Sequence, residues 1–535
     1  MTATHSATVT IWSTSDLHGF RCTPSQHPLM TNVHRMNELS RMILQSKQSL
    51  GRRFFWFDNG DAYQGAPLTD SFMNELKKGE DRRHPTTEWF RQTGCDAFVP
   101  GNHEFNYGRD AAQKIAGQSP IPWLSANIVE ALTGEPLFGT PYRVWTTEEG
   151  VRVALLGLTT AFIPAWERPE HIEGLQFLSA VETAKRWVPL LREKHAADIV
   201  IVSYHGGFES NLEDGTPAEP FTGENEGYRL CTEVRGIDVL LTGHQHRLIG
   251  DARVDRTLVV QPGSYGTHVG EATLELTKRE GSGWTVTSGA TRLVSVEAAA
   301  VSPSPAWLQP YEEEVTRRLN RPLGQMTGDM RIRDAGEARR KKHPFVQWLN
   351  EAQMQAAGVD ASLTALMDDN APGFAPVVTE RDIAANYPYP NTLAVLRLTG
   401  RQVKDALERS ASYFTLDESG ALTVSAEFQA PKSQPYNYDM WEGIEYVMDI
   451  SRPPGCRVTK LTYKDRPLEP EQKLDVVMNH YRAGGGGGYS MFEDAPIVKQ
   501  IHTEVAEILA EFMCAKPEWH VQLTENWKII GARKD

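Results

Sequence analysis

Five polar clusters in the first half of the chain each come directly after a run of apolar residues. The runs are short and continuous, which is typical of strands buried on both faces of a parallel sheet. We predict strands at Val9–Thr14, Phe54–Phe57, Ala97–Pro100, Val151–Leu158, Asp198–Ser203 and Ile237–Leu241. The clusters are Asp16-Leu17-His18, Gly60-Asp61, Gly101-Asn102-His103-Glu104, Tyr204-His205-Gly206-Gly207 and Gly243-His244-Gln245-His246. Because ligands bind beyond the carboxyl ends of strands in such sheets, we expect these clusters to share one edge.

Helical patterns separate the predicted strands, so the fold class is α/β. Met36, Leu39 and Ile43 lie on one face of a predicted helix, as expected for a helix that packs on a sheet. Two further strands, Thr257–Gln261 and His268–Leu276, are predicted after the last helix of this region. The pattern indicates a layered α/β domain.

The chain has 535 residues, and its pattern divides them into two large domains. The stretch Val301–Pro310 contains Pro and Ser residues and marks a boundary, and a charged helical segment, Tyr311–Asn320, follows it. We therefore predict a first domain over residues 1–300, a linker or hinge helix over 301–330 and a second domain over 331–535. The elements predicted in the second domain are the helix Arg401–Phe414 and the strands Tyr446–Ile450, Val458–Tyr463 and Lys473–Met478.

The clusters together supply carboxylates, imidazoles and one side-chain amide. This mixture suits divalent metals such as Mn, Zn, Co or Fe, and it does not suit a thiolate zinc site. Two metal ions can be held if one carboxylate is shared. One histidine after a strand is more often a hydrogen-bonded structural residue, but five such clusters in this order favour a metal site. Histidines outside the clusters, including His268 and His343, are interpreted as ordinary.

Composition excludes several classes of protein. The net charge of −14 disfavours a nucleic-acid coat or a protein that binds anionic membranes. No run approaches the roughly 18 apolar residues of a membrane span, and the first residues do not read as a secretory leader. The five cysteines, Cys22, Cys95, Cys231, Cys456 and Cys514, are far apart and form no CxxC pair. We therefore predict reduced thiols and a cytoplasmic location.

The ordered segments TSDLHG, DNGD, GNHEF, HGG and GHQH make the first half resemble the calcineurin-like metallophosphoesterases, and the second half resembles the C-terminal domain of the 5′-nucleotidase family. The resemblance implies a four-layer calcineurin-like β-sandwich flanked by helices and a C-terminal α/β domain that binds a small-molecule nucleotide substrate. It also implies two divalent metal ions such as Mn, Zn or Co. The implied ligands are Asp16, His18, Asp61 and His246 for one ion, and Asp61, Asn102, His205 and His244 for the other.

The same resemblance gives a catalytic role to His103, which follows the implied ligand Asn102. In the family this histidine stabilises the transition state or assists the leaving group. Many 5′-nucleotidases orient it with an aspartate three residues later, and here that position is Asn106. An amide holds a charged imidazole less firmly than a carboxylate does. The neutral tautomer is therefore expected to be more common here, unless another acid replaces the aspartate.

In the second domain, the segments Tyr389–Thr392 and Asn479–Arg482 match the two family segments that hold the base. Tyr389 and Tyr481 occupy the stacking positions, and Asn391 could hydrogen-bond a ring edge. Stacking contributes about 1–3 kcal/mol per base and depends little on base identity. For an isolated tyrosine, packing in a sheet would be the better interpretation. The match of both segments in order favours the base clamp.

Two departures from typical 5′-nucleotidases bear on the substrate. The segment 369–374 lacks the arginine that contacts the ligand, and Gly487 replaces an aspartate near the ribose hydroxyls. We expect glycine to leave room for a phosphate on O2′ or O3′, and loss of the carboxylate would remove its repulsion of that phosphate. The chain therefore resembles more closely the 2′,3′-cyclic-nucleotide 2′-phosphodiesterase/3′-nucleotidase branch. The alternatives are a 5′-nucleotidase or nucleotide-sugar hydrolase and, from another class, a non-catalytic nucleotide-binding protein.

Overall fold

The structure is a computed structural model. It describes residues 4–20, 30–65, 69, 72–73, 76, 83–219, 221–279, 283–297, 306–389, 391–430, 433–501, 503–516 and 518–531. It divides into two compact units, Met1–Glu313 and Glu314–Asp535. The division falls within the segment 301–330 that the sequence predicts as a linker, and residues 301–305 of that segment lie outside the described residues.

Two sheets form the centre of the first unit. The five-stranded sheet has the spatial order Trp284–Ser295, His268–Arg279, Thr4–Thr14, Phe54–Asp58 and Ala97–Phe98. The six-stranded sheet has the order Leu248–Val254, Thr257–Pro262, Val239–Thr242, Ile199–His205, Arg152–Thr159 and Tyr142–Thr146. The strands that precede the polar clusters run parallel to their neighbours within each sheet, as Thr4–Thr14 does to Phe54–Asp58 and Ile199–His205 to Val239–Thr242. A separate pair joins Ile128–Glu130 to Leu175–Phe177.

The core of the first unit lies between the two sheets. Val9 and Ile11 of one sheet and Ile199 and Ile201 of the other belong to one buried apolar cluster. The outer face of the six-stranded sheet packs against the helix Ala180–Glu193 in a second cluster. The α-helices of this unit are Met30–Leu50, Pro85–Thr93, Arg109–Gln118, Ala180–Glu193 and Gly227–Glu233, and Gln309–Leu319 spans the division. Single 3-10 turns occur at His18–Phe20, Gly51–Arg53, His103–Phe105, Ile163–Ala165 and Pro169–His171.

The predicted layered α/β class is confirmed, and the strands preceding the clusters lie near their predicted bounds. One difference is the first strand, which begins at Thr4 rather than at Val9. Its extra residues pair antiparallel with His268–Arg279, where polar side chains are tolerated because one face is exposed. Another is the strand at Ala97, which ends at Phe98 rather than at Pro100.

The second unit is built on a mixed five-stranded sheet in the order Asp439–Glu442, Ala361–Ala365, Lys473–Asn479, Leu393–Thr399 and Ile497–Ile501. A four-stranded sheet has the order Arg466–Pro467, Val458–Tyr463, Glu445–Asp449 and Trp527–Ile530. A three-stranded sheet joins Val377–Thr379, Pro322–Thr327 and Glu518–His520, and two pairs join Met330–Arg331 to Gly373–Phe374 and Phe414–Leu416 to Leu422–Val424. Trp348 and Trp441 are fully buried in the core.

The α-helices of the second unit are Ala335–Arg340, Pro344–Ala357, Glu380–Asn386, Gly400–Ser412, His480–Ala483 and Val505–Cys514, with 3-10 turns at Ala426–Phe428, Pro435–Asn437 and Ser490–Phe492. The helix predicted at Arg401–Phe414 starts one residue earlier because Thr399 and Gln402 form a capping box. Across the ranges described, no helix is long and apolar enough to cross a membrane. Cys95, Cys231, Cys456 and Cys514 are free thiols, and Cys22 lies outside the described residues.

Candidate metal centre

Two groups of side chains that could each hold a metal ion lie where the strands of the first unit end. One group is Asp16, His18 and His246, and the other is Asp61, His205 and His244; within each group the ligand atoms lie within 4.8 Å of one another. Asn102 joins the second group, because its Oδ1 lies 3.0 Å from Nδ1 of His244. The structure thus brings together all seven residues that the sequence predicts as ligands.

Backbone hydrogen bonds tie the cluster loops to one another. The Asp16 amide donates to the Gly60 carbonyl at 2.8 Å, and the His18 amide donates to the Asp61 carbonyl at 2.9 Å. The His244 amide donates to Oδ2 of Asp16 at 3.0 Å, so the last cluster is held by the first. Positions in the two groups are therefore set by mutual contacts and not by each loop alone.

Several residues of these groups have an unusual backbone conformation. Asp16, His18, Asp61, His244 and His246 all have a positive φ, between 46° and 65°. Such residues cost about 1–3 kcal/mol each and persist only where the surroundings determine them. Strain of this kind is common at ligand-binding and active sites, and among the described residues these five account for five of the eleven non-glycine residues with a positive φ.

Two glycines allow the loops to approach closely. Gly60 has a φ of 93°, and a Cβ there would lie 2.8 Å from Nδ1 of His205. Gly101 has no positive φ, but a Cβ would lie 2.7 Å from Nε2 of His205 and closer still to Oδ1 of Asp61. A side chain at Gly60 would overlap the backbone of Gly101 and the ring of His205, and one at Gly101 would overlap Asp61 and His205.

The environment of His205 attracts positive charge. Its Nδ1 lies 2.5 Å from the Asn59 carbonyl, so that nitrogen donates and Nε2 is directed at Oδ2 of Asp61, 3.1 Å away. This Nε2 is buried. Burial lowers the pKa of His205, but the adjacent Asp61 carboxylate outweighs burial and raises the pKa to about 10. A cation between imidazole and carboxylate fits this arrangement.

The other group also has donor atoms that converge. Nε2 of His18 lies 3.2 Å from Nε2 of His246, which in turn lies 3.2 Å from Oδ1 of Asp16. Burial, together with the neighbouring His246 and His103, lowers the pKa of His18 to about 3. A neutral imidazole keeps a lone pair for metal binding. The donors are nitrogen and oxygen, which fits the predicted class of metals.

Glu104, in the third cluster, fixes the backbone of the centre. Its Oε2 accepts hydrogen bonds from the amides of Asp61 and Gly101, and its Oε1 accepts from those of Ala62 and Tyr63. Burial and the nearby Asp61 charge raise the pKa of Glu104 to about 6, although these backbone donors lower it. The side chain holds the second and third clusters together.

Sequence reasoning did not identify Glu224, which contacts the centre from outside the clusters. Its Oε1 lies 3.0 Å from Nε2 of His244, on the ring edge opposite Asn102. A carboxylate on the second nitrogen of an imidazole fixes the orientation of the ring and the position of its proton. Glu224 lies in the segment after the fourth cluster, and no local pattern there indicates the contact.

His103 is directed at the same centre. Its Nε2 lies 4.0 Å from Oδ2 of Asp61, and its ring centroid lies 5.3 Å from that of His18. Its amide donates to Oδ1 of Asp61 at 2.8 Å. On the other edge of the ring, Nδ1 lies 2.6 Å from Oδ1 of Asn106, the residue at the family's aspartate position.

The two segments of the predicted base clamp are neighbours in the second unit. The His480 amide donates to the Thr392 carbonyl at 2.9 Å, and the Thr392 amide donates to Nδ1 of His480 at 3.1 Å. Tyr389, Asn391 and Tyr481 are half-buried within these segments. Pro390 lies outside the described residues.

The space expected at Gly487 is filled. A Cβ at this position would overlap the side chains of Asn437 and Arg482. Arg482 is fully buried, pairs with Asp439 at 2.7 Å and lies 4.0 Å from the ring centroid of Tyr489. The expectation that glycine leaves room for a phosphate is wrong at this point, because protein side chains occupy that room.

The segment 369–374, which lacks the family's arginine, is contacted by an arginine from elsewhere in the chain. Nη1 of Arg339 lies 2.6 Å from Oδ1 of Asp369, and its Nη2 donates to the Leu366 carbonyl at 3.2 Å. Arg339 is buried, whereas Asp369 is half-exposed. A guanidinium is therefore present beside the segment although its sequence contains none.

Comparison with known proteins agrees with this geometry. Residues 9–248 match the calcineurin-like phosphoesterase family, and residues 322–494 match the 5′-nucleotidase C-terminal domain. A solved structure from Staphylococcus aureus, assigned provisionally as a 5′-nucleotidase, is 34% identical and covers 98% of this chain and 100% of its own, with a TM-score of 0.88. The chain belongs to the 5′-nucleotidase family. This family member is a metal-dependent nucleotide phosphoesterase.

Two curated relatives extend the comparison. The 2′,3′-cyclic-nucleotide 2′-phosphodiesterase/3′-nucleotidase of Salmonella typhimurium is 27% identical to this chain, and the match covers 89% of this chain and 82% of the relative. The trifunctional nucleotide phosphoesterase YfkN of Bacillus subtilis is 27% identical over 91% of this chain. The chain spans only 36% of the length of YfkN.

Proposed function

We propose that this 5′-nucleotidase family member hydrolyses 2′,3′-cyclic nucleotides to 3′-nucleotides and then removes the remaining phosphate to give nucleosides. The observation that carries the proposal is the pair of metal-binding groups with His103 directed at Asp61 between them. The name of the Salmonella relative supports the cyclic substrate. Asn106, at the position where typical 5′-nucleotidases have aspartate, also favours this branch.

In this proposal seven side chains hold two divalent ions such as Mn, Zn or Co, with Asp61 shared. The proposed ligands are Asp16, His18, Asp61 and His246 for one ion, and Asp61, Asn102, His205 and His244 for the other. Bound ions would neutralise the phosphate charge and activate water as the nucleophile. The chain's own part is to hold these donors rigidly, which the strained backbone and the contacts between loops support.

His103 is proposed to act at the leaving oxygen. As the oxygen of water forms its bond to phosphorus, the bond between phosphorus and O2′ breaks, and O2′ takes up a proton from Nε2 of His103 in the ring form that carries a proton on both nitrogens. Water gives up one proton to solvent, and Nε2 takes up a proton again before the next turnover. The product is a 3′-phosphate with a free 2′-hydroxyl. General acid catalysis of this kind contributes about 10²–10⁴-fold. The approach of His103 Nε2 to Asp61, at 4.0 Å, supports this role.

The second unit is proposed to bind the nucleoside part of the substrate. Tyr389 and Tyr481 would stack on the base, and Asn391 would hydrogen-bond a ring edge. The adjacency of their two segments through Thr392 and His480 supports the clamp. Arg482, the last residue of the second segment, pairs with the buried Asp439, and this pair would keep that segment in place.

Turnover of three substrates tests the proposal. Protein stripped with EDTA and reloaded with Mn is assayed on 2′,3′-cAMP, 3′-AMP and 5′-AMP, and products are separated by chromatography. We expect 2′,3′-cAMP to be used with the highest kcat/KM and 3′-AMP to accumulate before adenosine. His103→Ala should lower turnover by about 10²-fold or more and leave metal content unchanged. His5→Ala, at an exposed histidine, is the matched control and should behave as the wild type.

The second candidate is a 5′-nucleotidase, which the Staphylococcus aureus structure favours. A clear preference for 5′-AMP in the same assay would establish it and contradict the cyclic substrate. Absence of turnover with two ions bound would instead support a non-catalytic nucleotide-binding protein. The assay therefore separates all three hypotheses.

A cytoplasmic location is also proposed, because the four cysteines in the described ranges are free thiols. Fractionation of the native host with an antibody against the protein tests it. Recovery outside the cytoplasm would contradict it.

A further inference from the structure

A buried carboxylate stands behind the amide that replaces the family's aspartate. Nδ2 of Asn106 donates to Oε2 of Glu167 at 2.7 Å, while Oδ1 of the same amide lies 2.6 Å from Nδ1 of His103. Glu167 is 61 residues away in sequence, just after the 3-10 turn Ile163–Ala165. Imidazole, amide and carboxylate therefore form one continuous line of hydrogen bonds.

Glu167 is held on its far side as well as by Asn106. Its Oε1 accepts from Nδ1 of His171 at 2.8 Å and from the Arg168 amide at 2.9 Å. Nη2 of Arg168 donates to Nε2 of His171 at 2.6 Å, so the proton of that imidazole lies on Nδ1. Burial raises the pKa of Glu167, but the hydrogen bonds from His171 and Asn106 together lower it by more, so the pKa lies below its usual value.

An ionised carboxylate only accepts hydrogen bonds, so it fixes which end of the Asn106 amide faces it. The amide nitrogen must face Glu167, and the amide oxygen must then face His103. An oxygen at this position accepts a hydrogen bond from Nδ1–H of His103. Nδ1 is thereby kept protonated, and Nε2, the nitrogen directed at Asp61, is the atom that exchanges a proton with the substrate.

We propose that Glu167 is a positioning residue for His103 and acts through Asn106. The inference rests on the role of His103 in the proposed function. Where other members have an aspartate beside the histidine, this chain has the Asn106 amide, and a carboxylate, Glu167, hydrogen-bonds that amide from its other side. This answers how an asparagine serves at a position where other members use aspartate: Glu167 orients the amide that would otherwise present either end.

Glu167→Gln gives a specific expectation. Two donors, His171 and the Arg168 amide, face Oε1, so the glutamine must place its oxygen there and its NH2 group towards Asn106. The asparagine amide then turns over and presents its NH2 group to His103. Nδ1 of His103 becomes an acceptor, so the one ring proton moves to Nε2 and the ring no longer carries a second proton on Nδ1. Donation from Nε2 would then leave an imidazolate, which makes the ring a much weaker acid. We expect kcat to fall about 10- to 100-fold, with KM and metal content changed by less than about 2-fold.

Introducing Glu167→Gln into the Asn106→Asp variant as well as into the wild type tests whether Glu167 positions His103 or only stabilises the fold. In the single variant two carboxylates face each other, and activity should fall. In Asn106→Asp/Glu167→Gln the NH2 group of glutamine donates to Asp, which accepts from Nδ1 of His103, so activity should rise at least about 10-fold above Asn106→Asp alone. Glu167→Gln should therefore harm the wild type and restore the variant.

Kinetics of the three variants on whichever phosphoester the wild type hydrolyses, and nitrogen-15 NMR of His103 in the zinc-loaded protein, test the proposal. NMR should place the proton on Nδ1 in the wild type and on Nε2 in Glu167→Gln. Equal losses from Glu167→Gln in both backgrounds, or no change of tautomer, would overturn it. The NMR result needs no turnover, so failure of this inference is distinguishable from failure of the proposed substrate.

Discussion

Adding one methyl group at Gly101 should remove one of the two metal ions. Gly101 has no positive φ, so its backbone conformation allows alanine, and the effect of the substitution comes only from the close contacts of the new methyl group. Its Cβ would lie 2.7 Å from Nε2 of His205, whereas ordinary contact begins near 3.4 Å. The imidazole must therefore move by about 0.7 Å, and the Asp61 carboxylate by more, against a tolerance of about 0.2 Å for metal ligands.

The free energy of unfolding should change much less than metal binding does. Overpacking costs about 1–3 kcal/mol, and replacing glycine returns about 0.4–1 kcal/mol through the unfolded chain, which leaves a net loss of at most about 2.6 kcal/mol. The protein should therefore fold. Although the shared Asp61 shifts, Asp16, His18 and His246 are not among the side chains nearest the added methyl group and should still hold one ion. We expect bound manganese to fall from about two ions to about one ion per chain, with turnover lost.

Elemental analysis after reloading with Mn, together with urea unfolding, measures both effects. Gly117→Ala is the matched control, because a Cβ there meets nothing within 4 Å and the residue lies in the helix Arg109–Gln118. It should keep both ions and gain up to about 1 kcal/mol in stability. Two ions and wild-type turnover in Gly101→Ala would refute the close packing on which the argument depends.

Further predictions concern residues around the centre and in the core. Glu224→Gln weakens the carboxylate contact to the second metal group, so manganese affinity measured by calorimetry should fall about 10- to 100-fold. Burial lowers the pKa of His84 from 6.5 to about 3, so below pH 6.5 the unfolded state binds more protons than the folded state and stability decreases as the pH is lowered. Lowering the pH from about 7 to about 5 should cost about 2 kcal/mol in urea unfolding. His84→Asn, which keeps the helix cap, should abolish that loss. Asp439→Ala leaves Arg482 buried without its partner and should cost about 3–5 kcal/mol in urea unfolding, whereas Asp475→Ala, at an exposed pair, should cost less than about 1 kcal/mol.

The fold of the first unit could be predicted because its strands are buried on both faces and read as continuous apolar runs. The strand predicted at Phe54–Phe57 lies at Phe54–Asp58, and the polar cluster that follows it begins where burial of apolar side chains ends. Parallel strands bring the clusters together within each sheet. The packing of the two sheets against each other, which the sequence pattern does not reveal, then joins the first three clusters to the last two. What failed was the part of Thr4–Thr14 before Val9, since alternating polar residues on a half-exposed antiparallel strand carry a weaker signal.

The contacts of Glu167 and Glu224 could not be predicted, because each depends on where a loop passes in three dimensions. Glu167 meets Asn106 across 61 residues, and Glu224 meets His244 across 20. Neither glutamate stands in a motif. At Gly487 the motif position was recognised, but the space around it was not predicted. The side chains of Asn437 and Arg482, which are distant in sequence or not known to point there, fill that space.

Anomalous diffraction from crystals loaded with Mn tests the central claim most directly. We expect two peaks in the first unit, one beside Asp16, His18 and His246 and one beside Asn102, His205 and His244, with Asp61 between them. A single peak, or peaks away from these side chains, would contradict the proposed dinuclear centre.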